Sequence, residues 1–70
     1  MGTIVARFST RHEADFAQGL LIDAGIPAGV FADDIGGTLP RSAAVRVEVM
    51  DEHAQQATRL LAEHGLLPQP

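Results

Sequence analysis

Two segments of the chain end in the same way. Residues 20–27 read LLIDAGIP, and residues 60–68 read LLAEHGLLP. In each copy an amphipathic stretch runs into a glycine and then an apolar residue, and a proline follows within three positions. Glycine just past the last helical turn, with an apolar residue next to it, is typical of a left-handed helix C-terminus. The repeat therefore predicts two helices whose ends are marked by Gly25 and Gly65, both at positive φ.

A short β-rich run precedes each predicted helix. Residues Thr3–Phe8 alternate in polarity, which predicts a strand with one buried face. The residues expected on that buried face are Ile4, Ala6 and Phe8. Residues Ala44–Val49 alternate more regularly, with valines at positions 45, 47 and 49 forming the buried row. Val47 lies at the middle of this row and is the predicted centre of the core.

A further strand is predicted at Ala28–Asp33, between the first helix and a loop rich in turn-forming residues. Pro27 stands at its start, and proline cannot donate to a central ladder, so this strand is expected at a sheet edge. A right-handed crossover from the first strand, with the third strand inserted between the other two, gives the sheet order 1-3-2 with all neighbours antiparallel.

The helix boundaries have local signals. Thr10 and Glu13 form a capping box that opens a helix from about Arg11 to Ala24. Ser9 could take the cap instead, which would move the boundary by one residue. Its apolar stripe is expected to comprise Phe16, Ala17, Leu20, Leu21 and Ala24, with Gln18 on the opposite, solvated side. Asp51 is the predicted N-cap of the second helix. The stripe of that helix is expected to comprise His53, Ala57, Leu60, Leu61 and His64.

These elements predict an α+β fold of the ferredoxin-like class, a β-α-β-β-α sandwich with both helices on one face of the sheet. The fourth strand of that class is expected to be missing or vestigial, because residues 66–68 are too short and end in proline. The chain is interpreted as a single domain, 1–70, with a core at about 3–66 and a tail at 67–70.

Composition narrows the possible functions. The 70 residues include no cysteine, which excludes disulfides and thiolate metal sites. A domain of this size buries only about 60% of the surface that its unfolded chain exposes. A partner subunit is therefore the expected source of extra stability. The net charge of −4, with five arginines and no lysine, argues against nucleic-acid binding. No apolar run approaches the ~20 residues of a membrane span, no signal peptide is evident, and a cytoplasmic location is expected.

The chain also resembles a small bacterial family of unknown function, described as putative prokaryotic signal-transducing proteins and grouped with PII-like regulators. The resemblance covers about residues 3–64 and rests on caps, core positions and turns. The residues that carry it are Glu13-Ala14, Leu20-Leu21, Ala24–Ala28, Gly36-Gly37, Val45–Val49, Ala57 and Leu60-Leu61. It implies a ferredoxin-like fold and a regulatory role, and it carries over no catalytic residue. The chain departs from the family at Ile22, where members tend to have an acidic or polar residue.

Site chemistry gives two weak candidates. His12 and His64 would lie near each other if the helices are antiparallel, and with Glu13 they could bind zinc. A structural role is the better interpretation, because an imidazole in the last turn favours the helix dipole. In the loop between the second and third strands, Gly36 and Gly37 could present amides to an anion beside Arg41. The competing interpretation is a simple connector, since no phosphate-binding motif is present.

Catalysis has little support in the sequence. No serine or histidine stands in a recognisable nucleophile context, so an enzyme is not expected, and no cofactor is predicted. The leading hypothesis is a non-enzymatic regulatory or protein-interaction module. The alternative is a small-ligand or metal sensor that uses the loop between strands two and three.

The open face of the sheet is the expected interface. Val5, Arg7, Phe31 and Arg46 are predicted to lie there, together with Glu48. An aromatic side chain among arginines resembles RNA-binding sheets, but an acidic chain with a single aromatic on this face favours coverage by another subunit. A homo-oligomer, most simply a two-fold dimer, is predicted, with an unidentified protein as a further partner. The edge of strand one is an equal candidate for the interface, because it lacks the neighbour of a complete ferredoxin-like sheet and an unpaired edge invites another chain. Ile22 is a secondary contact.

Overall fold

The computed structural model describes residues 2–32 and 45–67. Within these ranges the elements are β1 (Gly2–Phe8), α1 (Arg11–Asp23), β2 (Ala28–Ala32), β3 (Val45–Met50) and α2 (Ala54–Glu63). The described strands form one antiparallel sheet in the order β1-β3-β2. This confirms the predicted α+β, ferredoxin-like β-α-β-β-α layout. No helix in these two ranges is long and apolar enough to cross a bilayer.

The central strand β3 contributes the sheet side of the core. Its residues alternate between buried and partly exposed, with Val45, Val47 and Val49 on the buried side. Val47 is completely buried, as predicted for the centre of the core. Helix α1 packs over β2 and β3, while α2 packs over β1 and β3, so both helices cover the same face of the sheet. Leu21 and Leu61, also completely buried, meet this valine row from the two helices.

Both helices end in the predicted way. Gly25 has a φ of 84° and Gly65 a φ of 70°. At the first end, Ile26 N donates to Leu21 O at 2.9 Å and Gly25 N donates to Ile22 O at 2.9 Å. This pair of bonds defines a Schellman motif, and the amides of residues 65 and 66 repeat it on the carbonyls of residues 62 and 61. The apolar residue after each glycine then turns back onto the core.

The start of α1 follows the predicted cap, whereas the start of α2 does not. Glu13 N donates to Thr10 Oγ1 at 3.2 Å, and the Glu13 carboxylate accepts from the hydroxyls of Ser9 and Thr10 at 3.0 Å each. Asp51, the predicted N-cap of α2, instead opens a 3-10 turn, Asp51–His53. Its carboxylate accepts a hydrogen bond from the Thr3 hydroxyl. Asp51 therefore links β1 to the end of β3.

Strand β1 departs from simple alternation. Its register with β3 shifts between Ile4, which pairs with Glu48, and Ala6, which pairs with Val47. Val5 is the extra residue of a β-bulge, and it is buried with only 9% of its surface exposed. Ile4 lies on the other face and is 43% exposed. The predicted orientations of Ile4 and Val5 were therefore wrong, because a bulge reverses the face on which each residue before it lies.

The buried face of α1 differs from the predicted apolar stripe by a rotation of part of a turn about the helix axis. The buried residues are Ala14, Ala17 and Leu21, whereas Phe16 is 58% exposed and Ala24 is also exposed. Gln18, expected on the solvated side, is partly buried, and its Nε2 donates to Ala28 O at 2.8 Å. On α2 the prediction was closer, since Ala57 and Leu61 are buried and Leu60 is partly buried, but His64 is exposed.

The end of the chain carries no strand among its described residues. Leu66 and Leu67 are partly buried and pack against the core.

Substituting Val47 by aspartate should prevent folding. An unpaired carboxylate at this buried position would cost several kcal/mol, which is comparable to the whole stability of a small domain. Circular dichroism of Val47→Asp should show an unfolded chain. The control is Met50→Asp on the same strand, because Met50 is 48% exposed and should accept the charge. A folded Val47→Asp protein would contradict the register of β3.

The same substitution should have opposite effects at two glycines. Gly25→Ala should destabilise by about 1 kcal/mol, since an alanine is strained at positive φ. Gly19→Ala should stabilise by about 0.5–1 kcal/mol, because Gly19 lies within α1 and an added Cβ there meets nothing within 4 Å. Urea unfolding of both variants measures the difference. Equal effects at the two positions would contradict the capping argument.

Candidate functional site: the outer sheet face

The face of the sheet away from the helices is the candidate site, and we call it the outer sheet face. The strand registers and the alternation of burial define its members. They are Gly2, Ile4 and Arg7 on β1, Arg46, Glu48 and Met50 on β3, and Gly29 and Phe31 on β2. In the described residues no element covers this face, because α1 and α2 both pack on the opposite side.

Three large apolar side chains are exposed on the outer sheet face. They are Ile4, Phe31 and Met50, with 43%, 46% and 48% of their surfaces exposed. Only two other large apolar side chains in the described ranges are comparably exposed, and both lie on α1. Exposed apolar side chains that are gathered on one face mark an interaction surface, whereas isolated ones need no explanation.

An ionic group lies among these apolar residues. Arg46 forms a salt bridge with Glu48 two positions along β3, and both side chains are 24% exposed. The guanidinium carbon of Arg46 is 4.8 Å from the centre of the Phe31 ring, on the neighbouring strand. Arg46 therefore contacts an anion and an aromatic face at once, which orients its long side chain across the sheet.

Two glycines shape the surface. A Cβ added to Gly29 would lie 2.7 Å from Cε2 of Phe31, so the ring extends over Gly29 and uses the space that glycine leaves. On β1, a Cβ added to Gly2 would lie 2.6 Å from Oε1 of Glu48. Beside the ring is an open, mostly apolar depression of about 280 Å³. Its lining residues are Gly2, Pro27, Ala28, Gly29, Phe31, Glu48, Val49 and Met50.

The charge of this face differs from that of the chain. Arg7 pairs directly with Arg46 across β1 and β3, so two cations and the single anion Glu48 give the described face a net charge of +1. The whole chain carries −4. The described residues of the outer sheet face therefore do not share the negative excess of the chain.

Three of the residues predicted for the interface come together here: Arg7, Phe31 and Arg46. Val5 does not, because the bulge places it in the core. Ile22 is exposed on α1 and lines a separate hollow with Gly25, Pro27 and Ala28. The interface role of these residues remains a prediction, and the structure shows which of them share a face.

The described residues do not bring the metal candidates together into a site. His12 and His64 are exposed, and the described residues contain no group of three or more His, Asp or Glu side chains placed to hold a metal ion. His64 Nδ1 lies 3.0 Å from Leu60 O of its own helix. Gly36, Gly37 and Arg41 lie outside the described residues, so the ligand-binding role of their loop stays a prediction.

The sequence interpretation missed Ile4, Met50 and Gly29. Ile4 and Val5 are both β-branched, so alternation alone does not show which of them faces the core. Met50 follows the predicted end of its strand by one residue, and the added position continues the outward row of β3. For Gly29 a signal existed, because a glycine within a strand often marks a place where another group approaches closely.

Comparison with known proteins places the chain in a family. The family model described as "putative prokaryotic signal transducing protein" matches residues 3–65. The chain therefore belongs to this family, and the match covers all the strands and helices described above except the first residue of β1, Gly2. Neither the search of curated proteins nor the search of solved structures found a match.

The contact between Arg46 and Phe31 should be measurable as a coupling energy. In a double-mutant cycle with Arg46→Gln and Phe31→Leu, the coupling in the free energy of unfolding should be about 0.5–1 kcal/mol, as for other cation–π pairs at exposed positions. A parallel cycle with Arg59→Gln, an exposed arginine on α2, should give a coupling near zero. Equal coupling in both cycles would show that the arginine and the ring do not interact.

Proposed function

We propose that this protein is a non-enzymatic regulatory or protein-interaction module of prokaryotic signal transduction, and that it acts as a homo-oligomer. The observation that carries the proposal is the outer sheet face, where three large apolar side chains surround a salt bridge and an Arg–aromatic contact. Apolar side chains with a few paired ionic groups are the usual composition of a protein–protein contact surface. The family description supports the signalling role.

The size of the core supports self-association. In the described ranges twelve apolar residues are buried, and four of them are alanines: Ala6, Ala14, Ala17 and Ala57. This part of the core therefore contains few large side chains. A domain of this size gains little stability from its own core and often depends on a second subunit. Covering Ile4, Phe31 and Met50 in an oligomer would bury apolar surface that the two helices leave exposed.

Sedimentation equilibrium over a range from about 1 to 100 µM, which brackets the affinity of a modest dimer, tests the proposal. We expect a mass above that of the monomer, and we expect Phe31→Ser to shift the equilibrium toward monomer. The matched control is Phe16→Ser, because Phe16 is the more exposed of the two aromatics but lies on α1. A monomer throughout the range for the unmodified chain would contradict self-association.

A further inference from the structure

We propose that two copies of the chain pack their outer sheet faces against each other, about a two-fold axis that lies between the two sheets at the level of Val47 on β3. This inference rests on the self-association proposed above and specifies its surface and its register. The axis lies parallel to both sheets and perpendicular to their strands. Each strand then lies over its own counterpart, running in the opposite direction.

Charge does not oppose a contact through this face. Two copies of a chain with a net charge of −4 repel each other, but the described residues of the outer sheet face do not share that negative excess. The two edge strands of the described sheet, β1 and β2, are poorer sites for a second copy. The bulge at Val5 interrupts the ladder of β1, and bulges protect sheet edges from pairing. At the β2 edge, Pro27 lacks an N–H and Gln18 already occupies the Ala28 carbonyl.

The central strand fixes the register. Arg46 and Glu48 are the outward residues on either side of Val47. A two-fold axis at Val47 exchanges these two positions, so Arg46 of each copy lies opposite Glu48 of the other. The cation and the anion are thus matched twice by one symmetry operation, which makes the face complementary to itself. Any register that places Arg46 over Arg46 would lack this match.

The flanking strands agree with the same axis. Phe31 is in register with Arg46, and Gly29 with Glu48, so Phe31 of one copy lies over Gly29 of the other. Because each ring extends over Gly29 of its own chain, the two Phe31 rings meet near the axis. On β1, the same exchange places the aliphatic part of Arg7 over Ile4. All three strands therefore present compatible pairs in a single register.

The existing salt bridge does not compete with the proposed contact. Arg46 contacts Glu48 of its own chain through Nε. A guanidinium has five N–H donors in a planar fork and each carboxylate oxygen accepts more than one hydrogen bond, so an ion pair between the chains adds to the one within each chain. The two Arg46 and two Glu48 side chains of the dimer would then form one ionic network between the sheets.

The test uses two single charge reversals, Arg46→Glu and Glu48→Arg. Each variant alone places like charges opposite each other across the axis, so each should dimerise at least 10-fold more weakly than the unmodified chain. Mixed together, the two variants restore opposite charges at all four positions and should form a heterodimer of near-normal affinity. The internal salt bridge is broken in both variants, so recovery on mixing reports only on contacts between chains. Sedimentation and native mass spectrometry distinguish the heterodimer from the homodimers.

Controls separate this register from general charge effects. Glu63→Arg and Arg59→Glu make the same charge changes on exposed positions of α2, and mixing them should change nothing. Circular dichroism verifies that each variant is folded. Should a reversal prevent folding, a dilution series of amide NMR spectra on the unmodified chain provides a second measurement. The amides of Gly29, Phe31 and Glu48 should shift with concentration, and those of α2 should not.

The outcomes distinguish this inference from the proposed function. A dimer that withstands both single reversals, or two weakened variants that fail to combine, would overturn the outer-face register and leave self-association intact. Concentration-dependent shifts confined to α1 or to the β1 edge would overturn it as well. A monomeric unmodified chain would overturn self-association and this inference together.

Discussion

The structure depends on the burial of one row of side chains, Val45, Val47 and Val49 on β3. Strand β3 is hydrogen-bonded on both sides, to β1 and to β2, and both helices pack against it. All other described strands and helices are therefore positioned relative to this strand. Because alternate residues of a strand point to opposite faces, the burial of the three valines also determines that Arg46, Glu48 and Met50 face outward. The same constraint that forms the core thus creates the candidate interaction surface.

Much of the fold was predictable because its signals are local and each has one physical meaning. Glycine next to an apolar residue marks a left-handed helix end, and both ends have that geometry at Gly25 and Gly65. Thr10 and Glu13 specify a helix cap, and together with Ser9 they form its hydrogen bonds without help from the rest of the chain. The sheet order followed from the handedness of the crossover and from Pro27 at an edge.

The errors occurred where the sequence permits two nearly equal arrangements. Ile4 and Val5 both favour strands and both suit a core, so the position of the bulge depends on packing against the helices. On α1 the apolar residues extend around much of the helix, and its rotation is set by which side chains fit between the helix and the sheet. The small Ala14 and Ala17 lie inside, which leaves the larger Phe16 outside. The candidate site was predicted in part for the same reason, with Arg7, Phe31 and Arg46 on the outer face but Val5 beneath it.

The position of β1 beside β3 has a consequence for how the chain reaches its native state. The pairs between β1 and β3 join residues that are 37 to 48 positions apart, from Phe8 with Val45 to Gly2 with Met50. The β2–β3 pairs begin only 13 positions apart, at Ala32 and Val45. Closing the longer loop costs about 1 kcal/mol more chain entropy than closing the shorter one, and contacts between distant residues slow folding. During synthesis β1 is made before β3, and this partner strand is complete only after residue 50. Of the described strands, β1 therefore waits longest for its partner, and its ladder of hydrogen bonds forms only after most of the domain has been made.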